Sequence, residues 1–491
     1  MVITGIFTLT MTMSGTTVAL PRIGADLDAS GPGLQWVVSG YFLTFACSTL
    51  VIGSLADLFG RRRVFRLGAL VFAASTLLSA ATPSILLLDV ARSTTGVGSA
   101  GLMVCGGAIL ATIFEGPART RAYALLGTVG GIGLAFGPTL SGWIVGTLGW
   151  RASFLFFTAV ALAVLAGSVV LPESRPPSRT PIDVPGVVTF ILGLALVMGA
   201  VTFGPDAGWA HPAVLAAFAA GAAVLALFVR LERAAPHPVL DLTLAAAPRF
   251  SAWCLASLTI GLAALGVLVF LPTYLQGVNG LSAGRTGLVM LLMTVPVLLA
   301  PTAAGWLLNH GLPPRTLITC ALLLAAAGNG SLTVLHPGIG VAELAGPLVA
   351  VGTGMGLAVG TIEGQAMNQV PPARVGMAAG FLNTVRGGGN ALGLALIGSA
   401  LTSLVTLQIG DPDLAARVTA GDLPAGDADA LAADFTTAWR LLLAGVASVV
   451  AAGALGVATL LSAGRPWTDA ATSRQEDTVS GQHALPQETT Q

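Results

Sequence analysis

Gly53-Ser-Leu-Ala-Asp-Leu-Phe-Gly-Arg-Arg-Arg63 is the stretch that decides the fold. It lies between two long apolar runs. A glycine-flanked turn carrying one acid and three arginines reads as a solvated hairpin between two membrane helices. Clustered arginines favour the cytoplasmic side of a bilayer, so this hairpin gives every other span a direction.

The surrounding composition agrees. The chain has 491 residues, of which 54% are hydrophobic and 9% charged, with a mean hydropathy of +0.85, whereas a soluble domain carries about 25% charged residues. It is an integral membrane protein. Apolar runs of about 20 residues recur, each long enough to cross a hydrocarbon core as a helix, and the alternating segments of about 10 residues that a barrel needs are absent. All 22 basic residues are arginine and the formal net charge is zero. Without lysine no G-x-x-x-x-G-K-[ST] loop exists, so direct ATP coupling has no support. Gly96-Val97-Gly98-Ser99-Ala100-Gly101 satisfies G-x-G-x-x-G inside an apolar run with no preceding strand, which argues against a dinucleotide site. Cys47, Cys105, Cys254 and Cys320 are dispersed through expected spans and read as small buried residues, neither disulfides nor metal ligands. The N-terminus enters an apolar run without a basic lead-in. The first span is therefore expected to persist in the mature protein, and a true start upstream of Met1 stays open.

Fourteen spans are expected, from roughly 2–21 to 436–462, and the even number puts both termini on one side. Counted along these spans, fifteen arginines fall on the side of the Gly53 hairpin and five opposite, so the termini are expected in the cytoplasm. The expected fold is an all-α membrane protein: a six-helix bundle over 1–171, two inserted helices in 172–235, a second six-helix bundle over 236–465, and a disordered tail over 466–491. The spacing Gly53, Asp57, Gly60 is echoed by Gly305, Asn309, Gly311 and Arg315, which points to two related halves. Internal repeats of this kind build transporters with a substrate site between them. The acidic stretch from Asp411 to Asp434 is expected outside the membrane as a loop.

Several patches together resemble the major facilitator superfamily, and within it the fourteen-helix drug:proton antiporters of the EmrB/QacA type. They are the hairpin Gly53 to Arg63; Gln35-Trp36-Val37-Val38-Ser39-Gly40-Tyr41; Arg92 with Gly96 and Gly98; Gly133 with Gly137-Pro138 and Gly142; and Val370-Pro371-Pro372 through Asn383-Thr384-Val385-Arg386-Gly387-Gly388-Gly389. The resemblance covers nearly the whole chain. It implies two bundles rocking about a central cavity, export of hydrophobic or amphipathic drugs, and protons as coupling ion without a bound cofactor. The hairpin residues Gly53, Asp57, Gly60, Arg61, Arg62 and Arg63 read physically as a conformational latch, the acid engaging neighbouring helix ends or arginines, or, for the arginines, as setting topology alone. Gly133, Gly137, Pro138 and Gly142 resemble a motif that goes with exporters, although glycines at this spacing also serve ordinary helix packing. One departure stands out. Where the family commonly carries a first-span acid, this chain has Thr12, so any coupling carboxylate lies elsewhere.

Ionisable groups deep in a membrane each cost a few kcal/mol or more unless paired or hydrated, and four stand out here: Asp89, Arg92, Glu363 and Arg386. Asp89 and Arg92, three residues apart, share a helix face and are expected to pair, as a proton switch or a static bridge. Glu363 and Arg386 lie on consecutive antiparallel spans at matched distances from Pro371-Pro372, so they can meet, again as a coupling site or a structural pair. Gln35, Trp36, Tyr41, Asn383 and Asn390 are candidates for touching substrate. The expected partners are a small amphipathic substrate and the bilayer, with no nucleic acid and a functional monomer. Export or symport of a metabolite or siderophore is the alternative transport reading, and a transporter-like membrane sensor is the alternative from another class. An enzyme would carry clustered histidines or acids at one membrane face, a pattern the sequence lacks.

Overall fold

The computed structural model describes residues 1–114, 116–173, 183–235, 247–369, 375–424 and 426–463. The expected tail at 466–491 lies outside them, as do Pro371 and Pro372. The described chain is helical: α1 Val2–Leu27, α2 Gly31–Phe59, α3 Arg61–Ala81, α4 Ile85–Ile113, α5 Gly116–Leu148, α6 Trp150–Gly167, α7 Val184–Ala207, α8 Pro212–Ala234, α9 Pro248–Gly277, α10 Ala283–Asn309, α11 Pro314–Ser331, α12 Val341–Met367, α13 Val375–Ile409, the short α14 Pro412–Thr419, and α15 Ala428–Ala463. Thirteen helices of the described residues are long and apolar enough to cross a membrane. The remaining long one, α2, has 29 residues, ample for a core of about 30 Å at about 1.5 Å per residue. The protein is a multi-pass membrane protein.

A bilayer offers no water to unpaired backbone groups, so polar residues within spans must find partners nearby. The threonine-rich α1 does so within itself. The hydroxyls of Thr8, Thr12 and Thr16 donate to the carbonyls four residues earlier at 2.7, 2.9 and 2.9 Å. Thr12 is fully buried in this way and offers no substitute for a carboxylate.

The helices pack in a pattern that occurs twice. α2 packs on α4, α1 on α5, and α3 on both α4 and α6; correspondingly α10 packs on α12, α9 on α13, and α11 on both α12 and α15. The two sets meet through α1 with α9, α2 with α13, and α5 with α10, a symmetric set of crossings. α7 and α8 pack on each other, and α7 also touches α2 and α13. Two expectations change. The acidic stretch after Asp411 is not a plain loop: Asp411 Oδ1 accepts from the amides of Asp413 and Leu414 and starts α14, which packs on α13. Cys320 is exposed, whereas Cys47, Cys105 and Cys254 are buried, all four as free thiols.

The Gly53 hairpin is tighter than its sequence suggests. α2 ends at Phe59 and α3 begins at Arg61, so Gly60 alone makes the turn, with φ 102° and ψ 135°. Its echo Gly311 also has positive φ, 90°. Only glycine occupies such a conformation without strain. Gly60→Ala is expected to destabilise the fold by about 1–3 kcal/mol, read as a lowered unfolding midpoint in detergent at fixed scan rate. Gly305→Ala, in a helix where an added Cβ meets open space, is expected to leave that midpoint unchanged or slightly raised.

Candidate functional site

α4 begins behind Ser84, whose hydroxyl accepts from the Leu87 amide at 3.4 Å. Asp89 and Arg92 follow in its second turn, and they do not form the expected pair. Arg92, fully buried, donates from Nε to the Val37 carbonyl of α2 at 3.1 Å. Its guanidinium carbon lies 4.6 Å from the Tyr41 ring centre and 5.8 Å from that of Phe154. A weakly hydrated guanidinium is well suited to aromatic faces, and here the backbone carbonyl and two rings take the place expected for the acid. Arg92 thus pins α4 to α2 and α6. Asp89 is 8% exposed, and its Oδ1 has no hydrogen-bond partner.

Glu363 and Arg386 do meet. Arg386 Nη1 donates to Glu363 Oε1 at 2.7 Å, joining α12 to α13, and Nη2 donates to the side-chain oxygen of Asn383 one turn back. The pair is partly shielded, at 19% exposure for the glutamate side chain and 26% for the arginine. The other carboxylate oxygen faces α5 closely enough that a Cβ added at Gly127 would sit 2.5 Å from it. An acid of the second helix set is therefore pressed against a glycine of the first. Gly127 was not singled out by sequence, because its only signal is one more glycine in a glycine-rich helix.

The motif of α5 divides its contacts between two neighbours. A Cβ on Gly133 would meet the Phe7 carbonyl at 2.7 Å and one on Gly137 the Met11 carbonyl at 2.6 Å, both on α1. One on Gly142 would meet the Ala283 carbonyl of α10 at 2.7 Å. Pro138 lies within the continuous helix, and its carbonyl would be 3.3 Å from a Cβ on Gly287 of α10. These residues set helix spacing and leave no room for ligand.

At the hairpin, the Asp57 side chain lies outside the described residues. Gly53 has only ordinary contact around it. Arg61 Nη1 donates to the Ala108 carbonyl at 3.3 Å. Glu173, following α6, accepts from the Arg62 amide at 3.3 Å and lies 3.7 Å from Arg63 Nε. An acid from beyond α6 therefore engages the arginine cluster.

The proposed substrate contacts also separate. Tyr41 is fully buried, its hydroxyl bonded to the Leu9 carbonyl at 3.2 Å and Ser99 Oγ at 2.8 Å, so it is part of the packing and does not face a cavity. Gln35 Nε2 donates to Thr402 Oγ1 of α13 at 3.2 Å. Asn383 is held by Arg386, and Asn390 lies against Gly261 of α9. Trp36 lines a cavity of about 500 Å³ between α2, α4 and α7 together with Asp89, Ser93 and Phe203. Phe203 went unnoticed in the sequence because nothing in an apolar helix marks which neighbour it faces.

Among the described residues no group of three or more histidine, cysteine or acidic side chains could hold a metal. The sequence matches the Major Facilitator Superfamily over residues 2–394. The puromycin resistance protein pur8 of Streptomyces alboniger is 33% identical over 412 residues, 82% of this chain and 81% of its own. The cephamycin export protein CmcT of Amycolatopsis lactamdurans is 34% identical over 402 residues, 80% of this chain and 82% of its own. The drug efflux pump JefA of Mycobacterium tuberculosis is 32% identical over 425 residues, 83% and 82% of the respective chains. Among solved structures, a bacterial homologue of the human lysosomal transporter Spinster aligns with a TM-score of 0.62 at 17% identity, covering 94% of this chain and 95% of that one. An auto-inhibited POT family peptide transporter aligns with a TM-score of 0.63 at 16% identity, covering 94% and 96%. At these identities the solved structures speak for the fold alone. A double-mutant cycle of Glu363→Gln and Arg386→Gln is expected to give a coupling of about 0.5–3 kcal/mol in unfolding experiments. Asp89→Asn and Arg92→Gln, whose side chains are not bonded to one another, are expected to show no direct ion-pair coupling.

Proposed function

This chain belongs to the major facilitator superfamily, and from that premise we propose that it exports hydrophobic or amphipathic drugs, driven by protons moving the other way. The names of relatives at 30% identity and above, resistance and export proteins for puromycin and cephamycin among them, support drug export. The observation that carries the coupling is the placement of Glu363: one oxygen on Arg386, the other against Gly127 of the opposite helix set. In the packed state the carboxylate is shielded by α5 and balanced by a cation. When the two sets separate, α5 leaves it and water reaches it. Protonation then removes its charge, weakens its hold on Arg386, and lets the acid return to an apolar contact at lower cost. Proton uptake and helix rearrangement are thereby linked through one side chain.

At the end of the bundle nearest Trp150, three side-chain hydrogen bonds among the described residues join the two sets beside the close approach of Gly142 to Ala283: Thr17 Oγ1 donates to the Leu268 carbonyl at 3.0 Å, Gln276 Nε2 to the Val18 carbonyl at 3.2 Å, and Gln35 to Thr402. Alternating access opens these and closes a corresponding set at the hairpin end. The arginine bias supports a cytoplasmic hairpin and cytoplasmic termini. The working unit is a monomer in the bilayer, with protons and no resident cofactor.

Purified protein in liposomes with an imposed pH gradient and a panel of drugs tests this. Wild type is expected to move drug against the proton flow. Glu363→Gln is expected to lose gradient-driven transport by at least about tenfold while retaining drug counterflow, since exchange of bound substrate needs no net proton movement. Full gradient-driven transport by Glu363→Gln overturns the coupling assignment, and absence of drug movement in wild type overturns the export reading.

A further inference from the structure

We propose that the groove between α2, α4 and α7 is a lipid-side binding site for amphipathic cations, with the Asp89 carboxylate as counter-charge. It is separate from the Glu363 site and lies on the outer flank of the junction where α7 touches α2 and α13.

Its volume of about 500 Å³ falls in the range of small-molecule sites, roughly 300–1,000 Å³. Among the described residues the lining is apolar apart from a few hydroxyls and one ionisable group, Asp89. The threonine hydroxyls are occupied: Thr44 donates to the Ser93 carbonyl at 2.6 Å and Thr94 to the Val90 carbonyl at 2.8 Å. Asp89 is different. It is more than nine-tenths buried and its Oδ1 is without a hydrogen bond; the nearest base on its own helix, Arg92, forms no ion pair with it, since its Nε donates to Val37 and its guanidinium lies over Tyr41 on the inner side of α4, with Nη1 and Nη2 unpartnered there. A carboxylate in such a place calls for a cation, and the protein supplies none among the described residues. The missing charge fits a ligand.

The rim gives the rest of the ligand's character. Leu86, Val90 and Phe203 are 72%, 53% and 55% exposed on the outer surface of a membrane helix bundle, so the mouth opens on hydrocarbon. The lining runs from Gly33 to Thr44 on α2 and from Leu86 to Val97 on α4, about 16 Å at about 1.5 Å per residue. Asp89 lies about 6 Å from the start of α4 by the same rise, near the polar boundary, while Val97 lies deeper. A molecule bound along this groove has its positive group near the headgroups and its apolar body toward the bilayer centre, the orientation an amphipathic cation already takes in lipid. The Trp36 indole adds an aromatic surface that attracts cations. α7 completes the wall through Phe203, which gives one of the two inserted helices a part in ligand binding.

Equilibrium binding tests the site without any gradient, so its outcome is independent of whether the protein couples export to protons. The probe is tetraphenylphosphonium, with neutral triphenylphosphine oxide for comparison, on full-length protein in zwitterionic nanodiscs. Asp89→Asn is expected to weaken tetraphenylphosphonium binding at least about tenfold, and Asp89→Glu to restore most of it. To locate the bound probe, Val97→Cys is introduced with Cys320→Ser, and tetraphenylphosphonium is expected to slow maleimide labelling at position 97 several-fold when Asp89 is present and not in Asp89→Asn. No protection with Asp89 present overturns the site. Equal binding by Asp89→Asn, or equal protection by the neutral oxide, overturns the counter-charge assignment and marks the groove as an acyl-chain channel.

Discussion

Helices in a bilayer gain little hydrophobic energy by leaving lipid for one another, so this bundle is held by close backbone approach where side chains are smallest. A Cβ on Gly101 would lie 2.8 Å from the Gly68 Cα, joining α4 to α3, and one on Gly354 would lie 2.5 Å from the Ala321 carbonyl, joining α12 to α11. Such contacts admit no substitution without moving a helix. They occur chiefly within each helix set. Between the sets, α5 meets α10 at Gly142 in the same way, but the remaining joins include single hydrogen bonds from Gln35, Thr17 and Gln276. Water can replace hydrogen bonds of that kind as it enters. It cannot replace interlocked backbones. The structure therefore combines rigid bodies with a seam that can part.

Much of this architecture is legible in the sequence because its cause is local. Apolar run lengths give the spans, and the arginine-rich turn gives their direction. Glu363 and Arg386 were found by counting from a turn, since two antiparallel helices of equal rise bring equal counts to equal depth. The same reasoning failed for Asp89 and Arg92. Spacing of three residues puts both on one face, but a helix face spans neighbours on either side, and the choice between them lies in what α2 and α6 present. The Val37 carbonyl and the rings of Tyr41 and Phe154 are long-range partners that no spacing on α4 records. Tyr41 misled for a related reason: a phenol suggests a polar surface until its partners on α1 and α4 are seen. Thr12, read only as a missing acid, proves to be a hydroxyl satisfied by its own helix.

The inserted pair is more than a spacer. α7 touches α2 and α13, and Ser399 of α13 donates to the Val201 carbonyl at 2.6 Å while Trp209 Nε1 donates to Ser403 Oγ at 3.3 Å. α7 thus stands where a helix of each set meets the other, and any parting of α2 from α13 changes what α7 leans on. The groove holding Asp89 lies on this junction, so its shape is tied to the same movement.

The single-residue turn at Gly60 has a mechanical meaning. A long connection lets two helices slide past each other, but one residue leaves no slack, so axial displacement of α2 is handed directly to α3. α2 faces α13 across the seam, and α3 packs on α4 and α6. The joint therefore works as a stiff crank: displacement at the seam is delivered to the back of the bundle, and the helices behind α2 travel with it as one body.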